Sequence, residues 1–209
     1  MLKTMLSADE IVNLQDFKTR AWHQPPDGSG RALEGADWLA AVARQHQANF
    51  ELWHIEDEAR APGATDAQLA GVKRRIDSTN QRRNDLAEEL DRILLAWLEA
   101  RSLPNPAAPL NSESPGLIID RLSILSLKIF HTRDEAERAD APTGHAERNR
   151  DRLAILEEQR ADLAGCLHAL WQQTLAGARR FKLYRQLKMY NDPSLNPAIY
   201  KRTCGEPGG

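Results

Sequence analysis

Apolar residues recur along this chain at helical rather than strand spacing. Leu69, Val72, Ile76, Leu86, Leu90, Ile93 and Trp97 fall three or four positions apart, or at multiples of that step. That spacing lines one face of an α-helix. A second stripe reads Trp38, Val42, His46, Phe50, Trp53 and Asp57, and a third Leu153, Leu156, Leu163, Leu167 and Leu170. Between them, Leu117 to Phe130 is apolar on nearly every side. Ile118, Leu122, Leu125 and Ile129 make one face, and Leu117, Ile124 and Leu127 fill much of the rest. A helix that is hydrophobic all round is a buried one, so this stretch is expected at the centre of the fold. No segment shows the strict alternation of a half-buried strand.

Capping and breaking residues set the boundaries. Ser7-Ala8-Asp9-Glu10 is a capping-box pattern and opens a first helix reaching Thr19. His23 to Gly35 reads as a loop, Asp37 to Arg60 as the second helix, and Pro62-Gly63 as its stop. Thr65 caps a long third helix to about Arg101, and three prolines keep Leu103 to Pro109 out of a helix. Ser114 as cap and Pro115 at the first position start the central helix, which ends at His131. Asp134 to Gly144 is expected to be a turn, and His145 to about Ala178 a long helix that Arg179 to Tyr190 could continue after a bend at Gly177. The predicted fold is all-α: one domain, a bundle of about four main helices with short accessory pieces at both ends. Its divisions are residues 1–35, a bundle core 36–190 and an irregular tail 191–209.

The 209 residues suffice for one substantial core, and the net charge of −2 gives no field that favours nucleic acid or an anionic membrane. Cys166 and Cys204 form no disulfide framework and no CxxC pair, which suits a reducing compartment. MLKTMLSADEIV lacks the apolar core and cleavage site of a secretory signal, and no apolar run is long enough to span a membrane. The expectation is a cytoplasmic protein.

Four polar groupings stand out against the apolar pattern. In LWHIEDE, His54 and Asp57 are three apart, and Glu56, Asp57 and Glu58 crowd a helix C-terminus, where negative charge is disfavoured. This is either a solvated acidic end or a metal or ligand site. In KRRIDSTNQRRND, Asp77, Asn80, Gln81 and Asn84 share a face, while Thr79 and Arg83 interrupt the apolar stripe. Such a seam either fixes helix register or contacts a ligand. Asp120 and Arg121 lie in the first turns of the central helix. They either form a salt-bridge lattice, Asp120 to an arginine such as Arg83 and Arg121 to an acid such as Asp77, or Asp120 joins Glu56, Asp57 and Asp77 in a carboxylate cluster suited to Mg²⁺ or Mn²⁺. His131 reads as a satisfied histidine at a helix end. Last, RRFKLYRQLKMY carries Arg179, Arg180, Lys182, Arg185 and Lys188 among aromatics, a candidate face for phosphate or a partner. No GxSxG, phosphate-binding glycine loop, HExxH or zinc-type Cys/His spacing occurs, so nucleophilic-hydrolase and zinc readings drop out.

Taken together, LWHIED, RIDSTNQRRND, LNSESPGLIIDRLSILSLKIFH and YRQLKMYND resemble, in that order, an uncharacterised bacterial family of the "domain of unknown function" series, number four-two-five-four. The resemblance runs from about Phe50 to Pro197. It implies a helical cytoplasmic bacterial protein and carries over no catalytic residue. Weaker likenesses concern enzymes. Helical nucleotide pyrophosphohydrolases of the MazG type hold Mg²⁺ on acidic pairs of neighbouring helices, as Glu56/Asp57 and Asp77 or Asp85 could, although their E-x-x-E and E-x-x-D pattern is not cleanly present. Arg75-Ile76-Asp77 resembles the start of a chorismate mutase pattern that the following leucines do not continue. The expected function is therefore a small-ligand-binding helical bundle, metal-assisted and directed at a phosphorylated or nucleotide ligand, with His54, Asp77, Asn80, Arg83, Asn84, Asp120 and Arg121 as contacts. Its enzyme form is a metal-dependent phosphohydrolase. The alternative is a non-catalytic scaffold with a structural seam.

Overall fold

Helical periodicity and caps produce five helices in a computed structural model that describes residues 5–24, 37–187 and 194–195. They are α1 (Ala8–His23), α2 (Asp37–Glu58), α3 (Asp66–Glu99), α4 (Pro115–Glu137) and α5 (His145–Leu175), with no strand among the described residues. The predicted caps form. Ser7 accepts from the Glu10 amide, Thr65 and Gln68 make a capping box, and Ser114 accepts from the Leu117 amide ahead of Pro115. No helix of the described residues is long and apolar enough to cross a membrane.

Side-chain pairings fix the helix directions. Thr19 meets His46 and His23 meets His54, so α1 and α2 run the same way. Gln15 meets the Ile119 carbonyl, Asp16 meets Ser126, and His23 stacks on Phe130, so α4 runs with them. Arg44–Glu89 and Arg75–Glu58 set α3 antiparallel to α2. Arg133–Glu157 and His145–Glu135 set α5 antiparallel to α4. Ile11, Leu14, Val42, Leu90, Leu94, Ile119, Leu122, Leu167 and Trp171 meet in the core. α1 is thus a full member of the bundle, longer than the predicted span to Thr19.

Three expectations are corrected. First, α4 runs past His131 to Glu137, so the turn is confined to the residues before Gly144, whose φ of +77° ends the connection. Second, α4 is not apolar on nearly every side. Its buried set includes Asp120, Ser123 and Ser126, while Arg121 and Lys128 reach solvent. Third, Arg179 onward does not continue α5. The chain turns at Gly177, with φ of +70°, against Asn105, and then runs extended through residue 187. There Arg180 bridges to Pro109 and Asn111 by backbone hydrogen bonds of 3.0 and 2.7 Å, and Phe181 is buried. The predicted loop at 25–35, Lys188 and most of the tail, Cys204 included, lie outside the described residues.

Candidate metal centre

Because α1, α2 and α4 are parallel, their C-terminal turns meet at one end of the bundle. His23 is the last residue of α1, His54 stands one turn before the end of α2, and His131 lies on the same level of α4. One ring nitrogen from each lies within 4.8 Å of the others, and no other such group of three occurs among the described residues. A Zn²⁺ with Zn–N of about 2.0–2.1 Å puts its nitrogen ligands roughly 3.3 Å apart, so the three side chains would have to close in by rotation to bind one.

The hydrogen bonding favours ligation. His23 Nδ1 is 2.7 Å from the Thr19 carbonyl, which can only accept, so Nδ1 carries the proton and Nε2 offers its lone pair. That Nε2 is cut off from solvent and makes no hydrogen bond, and the same holds for His131 Nε2. Two buried nitrogens without partners cost free energy, and a shared cation would satisfy both. The Thr19 carbonyl would act as the outer-shell acceptor that orients a ligating imidazole.

Aromatic rings hold the histidines. His131 lies flat on Trp53 at 4.7 Å and 1°, and His23 stacks on Phe130 at 4.2 Å. Phe50 meets His23 and His54 edge-on. Burial, and then the neighbouring His23, push His54 below the ordinary imidazole value, with Asp57 opposing. Burial, His23 and His54 lower His131 likewise, against Asp57 and Asp134. Both shifts favour the neutral ring of His54 and His131, the form that binds metal. The part-negative C-terminal ends of α1 and α2 add attraction for a cation.

A second polar assembly runs inward from this end. His46, fully buried, joins Thr19 at 2.9 Å and Ser123 at 2.7 Å. Asn49 donates to Ser123 and to Asp120, both at 2.9 Å. Asp120 also accepts from Gln45 at 2.6 Å and from Arg83 at 2.9 Å. This is the Asp120–Arg83 pairing the sequence suggested as one alternative. Burial drops the His46 pKa to about 4, so its ring is neutral too.

The other predicted residues are dispersed. Glu56 and Asp57 pair with Arg60, Asp77 with Lys73, and Arg121 with Glu113 rather than with Asp77. Asn80 accepts from Arg83 at 3.4 Å, and Asn84 is half-buried on α3. Glu56, Asp57, Asp77 and Asp120 are thus each engaged by a cation of the chain itself. Arg179 and Arg180 lie at the opposite end, beside Asn111, and the chain that follows, with Lys182 and Arg185, reaches α3, where the Gln186 amide donates to Glu88. From Pro115 to His131 α4 rises about 24 Å, so Arg179 and Arg180 are well separated from the histidines. A groove of about 1000 Å³ between α4 and α5, lined in part by Arg121, Lys128, Cys166 and Arg179, runs from that end along α4.

Sequence reasoning singled out His54 but missed His23, read as the start of a loop, and His131, read as satisfied. The available signal was positional: three histidines near the C-terminal ends of three helices.

Comparison with known proteins is consistent with the resemblance seen in the sequence. No curated protein and no solved structure matches the chain. The family model described as "Protein of unknown function (DUF4254)" matches residues 39–183, which span α2 through the bridge at Arg180 and take in His54 and His131. That match covers well over half of the chain, which therefore belongs to the DUF4254 family of proteins of unknown function.

Proposed function

We propose that this protein is a small-ligand-binding helical bundle centred on a divalent transition metal held by His23, His54 and His131. Two observations carry the reading together: one ring nitrogen each of His23, His54 and His131 lie within 4.8 Å of one another, and Nε2 of His23 and of His131 are buried without a hydrogen-bond partner. Imidazole donors suit zinc, copper, nickel or ferrous iron, whereas Mg²⁺ and Mn²⁺ prefer oxygen. The metal reading therefore moves from the four acids to the three histidines. A phosphohydrolase would need its phosphate-directed cations beside the metal, whereas Arg180 is bonded to Ala108, Pro109 and Asn111 ahead of the far end of α4. The polar seam around Asp120 favours the scaffold idea in one respect: the Asp120 carboxylate accepts from Gln45, Asn49 and Arg83 of the chain itself, as expected of a network that fixes helix register, although Gln45 Oε1 and Arg83 Nε are left without partners. The exposed, unbonded Cys166 suits a reducing cytoplasmic setting.

The test is a zinc titration in a Cys166→Ser, Cys204→Ser background, which removes competing thiols. One zinc per chain should bind and raise the melting temperature. At free zinc a thousandfold above Kd the gain is about 4 kcal/mol. His54→Ala and His131→Ala should lose the response, while Asp57→Asn and Asp77→Asn keep it. An unchanged response in both histidine variants would reject the site.

A further inference from the structure

We propose that the metal centre reserves its fourth coordination position for a small monoanion, of formate or bicarbonate size, and excludes nucleotides. This rests on the three-histidine reading above. Three observations support it. Among the described residues no carboxylate or thiol joins His23, His54 and His131 within 4.8 Å. A four-coordinate metal with three protein ligands keeps one position for an outside ligand. Three neutral imidazoles also leave the full double positive charge uncompensated, so a negative ligand is favoured there.

The surroundings set the size and charge limit. Trp53 lies flat on His131, Phe130 on His23, and Phe50 stands edge-on to both His23 and His54. These walls are apolar and close, and they strengthen electrostatic attraction at the metal by lowering the local dielectric. Neither the groove of about 1000 Å³ nor the one of about 500 Å³ is lined by the histidines. The charges that act on His131 from nearby are the acids Asp57 and Asp134. The neighbouring cations Arg60 and Arg133 are engaged by Glu56 and Glu157. A polyanion would meet the acids Asp57 and Asp134 and the helix carbonyl ends beside the metal, whereas a monoanion needs the metal alone.

Cobalt substitution tests this on the full chain, because tetrahedral Co²⁺ has an intense visible absorption that responds to its fourth ligand. Co²⁺-loaded protein is titrated with azide, with formate and with AMP. The expected result is a tetrahedral band that azide and formate shift saturably, with AMP binding at least about tenfold more weakly. If Co²⁺ gives no such band, or His54→Ala leaves it unchanged, the three-histidine reading fails and this inference with it. If the band forms through the histidines but neither azide nor formate moves it, the protein fills the fourth position and this inference alone is overturned. AMP binding as tight as formate would overturn the size and charge limit.

Discussion

Two buried titratable side chains oppose each other in their effect on stability. Burial lowers His46 from 6.5 to about 4. The unfolded chain therefore binds the proton more readily, and the stability present above pH 6.5 is lost as pH falls through about 4. Burial raises Asp91 from 3.8 to about 6, against the hydrogen bonds from Ser114 and the Gly116 amide that favour its charged form. Its contribution is full below 3.8 and is lost as pH rises through about 6. Each gap corresponds to about 3 kcal/mol at most, so the two slopes largely cancel in the wild type. Asp91→Asn should leave the His46 slope visible: urea unfolding would show stability falling by up to about 3 kcal/mol between pH 7 and pH 4. A profile parallel to wild type would show that Asp91 is not the opposing group. A second residue-level test concerns Asp120, which accepts from Gln45, Asn49 and Arg83. Asp120→Asn should cost about 3 kcal/mol, the low end for a broken buried pair, because the Arg83 side chain stays 24% exposed. Arg83→Met in addition should recover part of the loss, with or without EDTA. Asp120 was legible in the sequence because a carboxylate in an apolar run demands a partner. His131 was not, because one histidine beside charged residues looks ordinary until its neighbours in space are known.

At the level of elements, α3 and α4 cross where Gly116 permits it. A Cβ there would lie 2.3 Å from the Ala87 carbonyl oxygen and 2.9 Å from the Asp91 carboxyl. Gly116→Ala must therefore push the helices apart and disturb the Asp91–Gly116 hydrogen bond of 2.7 Å. The expected loss is about 3 kcal/mol, the upper part of the range for overpacking. Gly165, inside α5 with nothing near its Cβ position, is the control. Gly165→Ala should stabilise by about 0.5–1 kcal/mol through helix propensity. Comparable melting temperatures for the two variants would contradict the close crossing. The helices and their caps were readable from periodicity and from Ser7, Thr65 and Ser114, because those signals are local. The end of α5 was not. Arg179 to Tyr190 has a helix-compatible composition, and only pairing of Arg180 with the distant 109–111 segment draws it into an extended path.

The whole molecule is organised by direction. Three parallel helices, α1, α2 and α4, bring histidines separated by 31 and 77 positions in sequence to one end, and a shared metal would cross-link them there. Periodicity assigns faces to helices but does not say which ends meet, so the all-α bundle could be read from the sequence and the three-histidine cluster could not. The opposite end carries Arg179 and Arg180, and the groove beside Cys166 runs from there along α4. Acids, histidines and arginines that looked like one composite site therefore divide between the two ends and the seam between them. The most direct measurement is zinc K-edge X-ray absorption on the zinc-loaded chain. The expected spectrum shows a shell of imidazole nitrogens at about 2.0–2.1 Å, three per zinc, with one further light-atom ligand, and His54→Ala should no longer retain this shell. A shell of oxygen ligands alone, or sulfur at about 2.3 Å, would contradict it.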